Sequence, residues 1–210
     1  MAEFAHPLVL ASASPRRRLL LREAGFAPTV IESDIDDGGL PCGAVAPEAF
    51  VMALSWFKAR RVVTQGAPAH AVILAADTIC VHENELLGKP RDAEHAAAML
   101  RAMRNRAHRV VTGVTIVPVD RDAIARLIFV DVATVRLGAI ADAAIDEYVD
   151  GGTWQGKAGA YNYSERVAAG WPVTCDGDPT GVMGLPMLRV VPLLGRLGVR
   201  RERDSREHAT

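Results

Sequence analysis

A mixed α/β fold is predicted for this chain by three observations. Short apolar, β-branched runs alternate with stretches of helical length along most of the sequence. The helical stretches open at Ser, Asp or Pro, and several close at Gly. Two long β-branched runs late in the chain flank a polar turn, which predicts an antiparallel hairpin.

The elements follow in order. Residues 7–12 (Pro-Leu-Val-Leu-Ala-Ser) read as a short buried strand. Ser14 suits an N-cap, Pro15 the first helical position and Gly25 a stop, which places a helix between them. A strand at 28–32 leads into an acidic, glycine-rich loop holding Asp34, Asp36 and Asp37. Pro47–Thr64 is predicted helical, and 71–82 is a strand interrupted by Asp77. Asp92 caps the strong helical run Ala-Glu-His-Ala-Ala-Ala-Met-Leu-Arg. The hairpin takes 108–119 and 123–137, and a helix at 140–149 ends at Gly151 and Gly152. A glycine-rich loop with Lys157, a strand near Val173 and a loop at 177–184 precede a last helix from Pro186, which Pro192 should kink or interrupt. The expected organisation is one domain over 1–199 and a charged, disordered tail over 200–210.

Composition excludes several classes of function. Half of the 210 residues are apolar and 23% are charged, so the chain is globular. A net charge of −1 offers no overall positive field for duplex nucleic acid. The three cysteines (Cys42, Cys80 and Cys175) are far apart and form no Cys-x-x-Cys, which argues for free thiols and against a zinc site or disulfide framework. The N-terminus lacks a signal-peptide pattern, and no apolar run reaches the ~18 residues of a membrane span. A cytoplasmic location is therefore expected.

The candidate chemistry begins with the lysines. Only three occur among 24 basic residues: Lys58, Lys89 and Lys157. A chain that uses Arg for surface charge keeps Lys where a compact, mobile point charge is needed, and a phosphate chain held at several points is such a setting. The turn Ser12-Ala-Ser-Pro-Arg16-Arg17 opens a helix, whose free N–H groups favour anions; an ordinary capped helix with exposed arginines is the alternative. Asp77 sits in an otherwise apolar strand, where a carboxylate is costly unless it is paired or bound to a metal. It either marks a site or partners a structural Arg. Asp36 and Asp37 either add oxygen ligands for Mg²⁺, which takes one or two carboxylates with substrate phosphates and waters, or form a solvated turn. The run from Gly151 to Ala158 nearly spells a phosphate loop. It lacks the hydroxyl that binds Mg²⁺ and follows a helix instead of a strand, so that reading is set aside. The histidines show no ligand spacing; Trp56 and Trp171 read as packing residues, and Trp154, beside Lys157, as either a packing residue or a base-stacking platform.

In order along the chain, these pieces resemble the Maf family of nucleotide pyrophosphatases. The carriers are Leu-Ala-Ser12-Ala-Ser-Pro-Arg16-Arg17, Ser-Asp-Ile-Asp36-Asp37, Phe-Lys58-Ala, Ala-Ala-Asp77-Thr78, Gly-Lys89-Pro, Val-Thr112-Gly-Val, Lys157-Ala-Gly-Ala-Tyr161 and Val-Met-Gly-Leu-Pro186. The resemblance implies a fold like that of the inosine triphosphatase superfamily: an elongated α/β protein with a mixed sheet, flanking helices, two lobes and a central cleft. It implies hydrolysis of a nucleoside triphosphate to the monophosphate and pyrophosphate with a divalent cation (Mg²⁺, Mn²⁺ or Co²⁺). Asp77 would be the proton acceptor and, with Asp36, a metal ligand. Ser12, Arg16, Arg17, Lys58 and Lys89 would bind the triphosphate, with Lys157 in the same substrate-binding set. Thr78 and Arg16 match members that act on dTTP and UTP. Those members carry Gln where this chain has Ser164, and Glu-Pro where it has Thr153-Trp154, so a broad base preference is expected. The partner implied is the nucleotide, with neither duplex nucleic acid nor membrane, and a homodimer is left open. A non-catalytic nucleotide-binding regulator of cell division is the alternative function.

Overall fold

The computed structural model describes residues 6–35, 45–83, 85–119 and 125–202. Asp36, Asp37, Cys42 and the tail beyond Glu202 lie outside them. The helices are α1 (Pro15–Glu23), α2 (Pro47–Thr64), α3 (Ala93–Met103), α4 (Asp142–Asp150), α5 (Tyr163–Ala168), α6 (Pro179–Val182) and α7 (Met187–Arg196). The strands are β1 (Leu8–Leu10), β2 (Thr29–Val30), β3 (Val72–His82), β4 (Glu85–Leu87), β5 (Ala107–Pro118), β6 (Leu127–Leu137) and β7 (Val173–Asp176). A 3₁₀ turn spans Ala158–Ala160. The strands form one mixed sheet in the order β2-β1-β3-β5-β6-β7, with β4 on β3. The predicted hairpin is β5–β6, paired antiparallel from Ala107↔Arg136 to Ile116↔Leu127.

Helix α2 covers one face. Val51, Ala59 and Val62 pack there against Val9, Ile73, Ala75, Ile79 and Val111. The helix lies very close to the sheet at Gly113: a Cβ there would stand 2.4 Å from the carbonyl carbon and oxygen of Val51. Gly113 is the register partner of Asp77, so this close approach presses α2 onto the strand that carries the carboxylate.

The opposite face is divided. At one end α1 and α7 bury Leu20, Leu21, Val190 and Leu194 against Leu74, Ala76 and Val114. At the other, α3, α4 and the 3₁₀ turn pack Leu100, Met103, Ile145 and Ala160 against Cys80 and Val110. Between the two clusters the register pair is Thr78↔Thr112, a polar seam between two apolar halves. The expected mixed sheet with flanking helices is present.

Three local outcomes differ from expectation. β4 and α5 are additional short elements, and α6 stands inside the loop expected at 177–184. α7 runs through Pro192. The ring deprives only the carbonyl of Leu188, four residues earlier, of a donor, and Leu188 is 77% exposed, where water satisfies it. The chain stays attached past residue 199: Glu202 donates its N–H to Gly25 O at 2.8 Å, and Arg201 stacks on Phe26. Among the described residues no helix is long and apolar enough to cross a membrane.

Candidate active site

A gap in strand pairing creates the site. β5 lines one edge of β3 from Val72 to Val81. On the other edge β1 pairs with residues 72–74 and β4 with residues 80–82. Among the described residues nothing pairs with 75–79 on that edge. Leu74 O accepts from Ala11 N at 2.8 Å and Val72 N donates to Pro7 O at 2.9 Å, so the even-numbered residues of β3 aim their backbone groups at this edge. The N–H and C=O of Ala76 and Thr78 therefore face the gap. A cleft of about 660 Å³ opens there, and side chains from both faces of the sheet reach it.

On the α2 face, Lys58 Nζ meets Asp77 Oδ1 at 2.6 Å. Their side chains are only 11% and 6% exposed, and both residues line the cleft. Among the described residues Asp77 is thus paired with a lysine. Helix spacing explains the meeting: Val51, Leu54, Ser55, Lys58 and Val62 share the buried stripe of α2, so Lys58 has to point at the sheet.

At the rim, α1 begins with Pro15, and Ser14 occupies the N-cap position without capping through its side chain. Among the described residues no side-chain cap closes the first N–H groups of the helix, and Ser14, Pro15 and Arg16 border the cleft. Lys89, after Gly88, is exposed on the opposite rim. Ser12 and Arg17 lie deeper. Arg17 donates to Ser12 Oγ at 2.9 Å, to Gly184 O at 2.9 Å and to Thr78 Oγ1 at 3.1 Å. It ties α1, β3 and the loop after α6 together, and Ser12 serves it as an acceptor.

The third wall is formed by His108, Tyr161, Asn162 and Tyr163. His108 Nε2 and Tyr161 Oη are 2.7 Å apart. Burial, aided by nearby His82, lowers the His108 pKa to about 4, so the ring is neutral near pH 7. Among the described residues neither nitrogen of His82 nor Nδ1 of His108 has a hydrogen-bond partner, a cost the fold carries. Asn162 caps α5, its Oδ1 accepting from Glu165 N and Ser164 Oγ. Cys80 lies on the floor, and burial raises its thiol to about 12, so it is an unreactive apolar surface.

The structure thus gathers Arg16, Arg17, Lys58, Asp77, Thr78 and Lys89 around one cleft, with Ser12 directly behind Arg17. Lys157 is turned to an ion pair with Glu165, and Ser164 to Asn162; neither lines the cleft, although Gly156 and Ala158 do. Asp36 lies outside the described residues. Among those residues no group of three His, Cys, Asp or Glu side chains could hold a metal ion. Trp154 packs, donating to Val149 O from within the α3–α4 cluster. Sequence reasoning missed the proximity of His82 to His108, which comes from the β3–β5 pairing and not from spacing along the chain.

The chain matches the family model described as Maf-like protein over residues 7–197. It is 41% identical over 197 residues to a protein of Anaeromyxobacter dehalogenans, covering 91% of this chain and 94% of the relative. It is 39% identical over 184 residues to one of Salinibacter ruber (88% and 87%), and 37% over 203 residues to one of Ralstonia nicotianae (92% and 96%). Each of these three relatives is named dTTP/UTP pyrophosphatase.

Proposed function

The chain belongs to the Maf-like family, and on that premise we propose that it hydrolyses nucleoside triphosphates to the monophosphate and pyrophosphate. The observation that carries this reading is the buried Lys58–Asp77 pair in a cleft whose rim holds Arg16, Lys89 and the uncapped start of α1. A carboxylate that accepts a proton and a ring of cations that binds a polyanion are the two requirements of the reaction.

Pyrophosphate is released when water attacks the α-phosphorus and the bond to the α–β bridging oxygen breaks, that oxygen leaving with the pyrophosphate. Asp77 takes the proton from that water, and the 2.6 Å contact with Lys58 orients its carboxylate. The pyrophosphate leaves with its added charge facing Arg16, Lys89 and the α1 N–H groups. Arg17, which donates to Ser12, Gly184 and Thr78, holds the rim in place. Ser164 would reach the substrate only through Asn162, which lines the cleft, and Lys157 is committed to its ion pair with Glu165.

Asp77, the one carboxylate lining the cleft among the described residues, suits Mg²⁺ or a similar cation that arrives with triphosphate oxygens and water, and Asp77 and Asp36 would be its protein ligands. Such an ion would neutralise phosphate charge and lower the barrier to attack. The test is a screen of the common ribo- and deoxyribonucleoside triphosphates with Mg²⁺, Mn²⁺ and Co²⁺ and identification of the products. Monophosphate and pyrophosphate are expected. Orthophosphate, or no turnover with any cation, would refute the assignment.

A further inference from the structure

The seam between the two apolar clusters carries a hydrogen-bond chain whose direction is fixed at both ends. Thr112 Oγ1 lies 2.9 Å from Gly181 O, a carbonyl that can only accept, so the single Thr112 proton is committed there. Thr78 Oγ1 lies 3.0 Å from Thr112 Oγ1, and the proton between these two oxygens must then be that of Thr78. From the other side Arg17 Nη2 donates to Thr78 Oγ1 at 3.1 Å, and a guanidinium has no acceptor. Thr78 therefore donates inward, accepts once from Arg17, and borders the cleft with one lone pair remaining. It has no proton left for a ligand.

We infer that Thr112 is a positioning residue that makes Thr78 an acceptor-only group, and that the part of the nucleotide meeting Thr78 is an N–H or O–H donor of the nucleoside. Phosphate and carbonyl oxygens are excluded from that position, because lone pair would face lone pair. The neighbouring floor agrees, since Cys80 and Val110 form an apolar surface next to Thr78 and suit a base or sugar better than a phosphate. The inference rests on the nucleoside triphosphate reading above and adds the chemical character of the recognised group.

Thr112→Val is nearly isosteric and removes the acceptor of the Thr78 proton, leaving that hydroxyl free to turn and donate. Thr112→Ser keeps the relay. The probes are UTP and CTP, whose ring positions 3 and 4 interchange donor and acceptor, with 2′-deoxy-UTP and 3′-deoxy-UTP. If the donor belongs to the base, the wild type distinguishes UTP from CTP by about tenfold or more in kcat/KM, the scale of one buried hydrogen bond. That ratio falls to within about threefold in Thr112→Val and persists in Thr112→Ser. If the donor is a sugar hydroxyl, UTP and CTP are equal, one deoxy analogue loses about fivefold or more, and Thr78→Val removes that loss. A UTP-to-CTP ratio that survives Thr112→Val, or Thr78→Val should Thr112→Val fail to fold, overturns the inference. So does indifference to all four nucleotides. Calorimetric binding of the same set to Asp77→Asn separates the two readings. If no triphosphate is hydrolysed the pyrophosphatase assignment fails, while the ratio of dissociation constants still decides the role of Thr112.

Discussion

Replacing either member of the Lys58–Asp77 pair should damage the protein in two separable ways. The side chains are 11% and 6% exposed and 2.6 Å apart, so each change takes from a buried charge its nearby opposite. Breaking such a pair typically costs about 3–5 kcal/mol, whereas replacing both members costs much less. For a chain of this size that range corresponds to a fall of about 6–20 °C in the unfolding midpoint for Lys58→Met. The double variant Lys58→Met/Asp77→Asn should recover part of the loss, the deviation from additivity measuring the coupling. Turnover should behave differently. Asp77→Asn removes the proton acceptor and should lower kcat by about 10²-fold or more, with no recovery in the double variant. The assays are thermal unfolding and pyrophosphate release at saturating nucleotide and Mg²⁺. If Asp77→Asn keeps more than about a tenth of wild-type kcat, Asp77 is not the general base. Additive midpoint shifts would show that the contact carries no coupling. An inactive Asp77→Asn protein that still acts in cell division would instead favour the regulatory alternative.

Gly113→Ala should destabilise by about 1–3 kcal/mol or more, because its Cβ would meet the Val51 backbone at 2.4 Å and no flexible side-chain end is there to yield. It should also lower kcat by lifting α2, and Lys58 with it, from Asp77; unchanged kcat in a destabilised variant would separate the two. His108 gives a pH dependence. Its folded pKa of about 4 lies below its ordinary value of 6.5, so between these pH values the unfolded chain binds more protons and stability falls with acidification. The loss should approach about 3 kcal/mol by pH 4, and His108→Gln should flatten that slope in urea titrations across the range. Lys89→Arg should raise KM for triphosphate although charge is kept, because the planar fork replaces a compact ammonium. An unaltered KM would remove Lys89 from the phosphate contacts.

The helices and long strands were legible because burial imposes a period on them. α2 repeats its apolar positions with Lys58 in register, and the β5–β6 hairpin announces itself by β-branched content. Asp77 stood out for a physical reason, as a charge in an apolar strand. The short elements β4, α5 and α6 were not legible: three to six residues make too few periods, and Asn162 and Asp178 cap helices whose bodies lack an apolar stripe. Also hidden were the relations across strands. The meetings Thr78↔Thr112 and Asp77↔Gly113 depend on the β3–β5 register, which residue spacing along one strand does not state. The turn of Lys157 and Ser164 away from the cleft depends on α5, so it could not be seen without that helix.

The interrupted edge of β3 explains why one cleft can hold residues from opposite faces. Asp77 and Thr78 are neighbours in a strand, so their side chains point to opposite sides of the sheet. In a continuous sheet they could not serve one ligand. Here β1 stops at Leu10 and β4 begins its pairing only at Cys80, and the cleft passes through the opening. Lys58 and Asp77 approach it from the α2 face, and Arg17 and Thr78 from the other. A nucleotide in that passage can present a phosphate to the charged side and its nucleoside to the seam side. On the proposed reading, chemistry and recognition would fall on consecutive residues of one buried strand, which β5 anchors along its other edge.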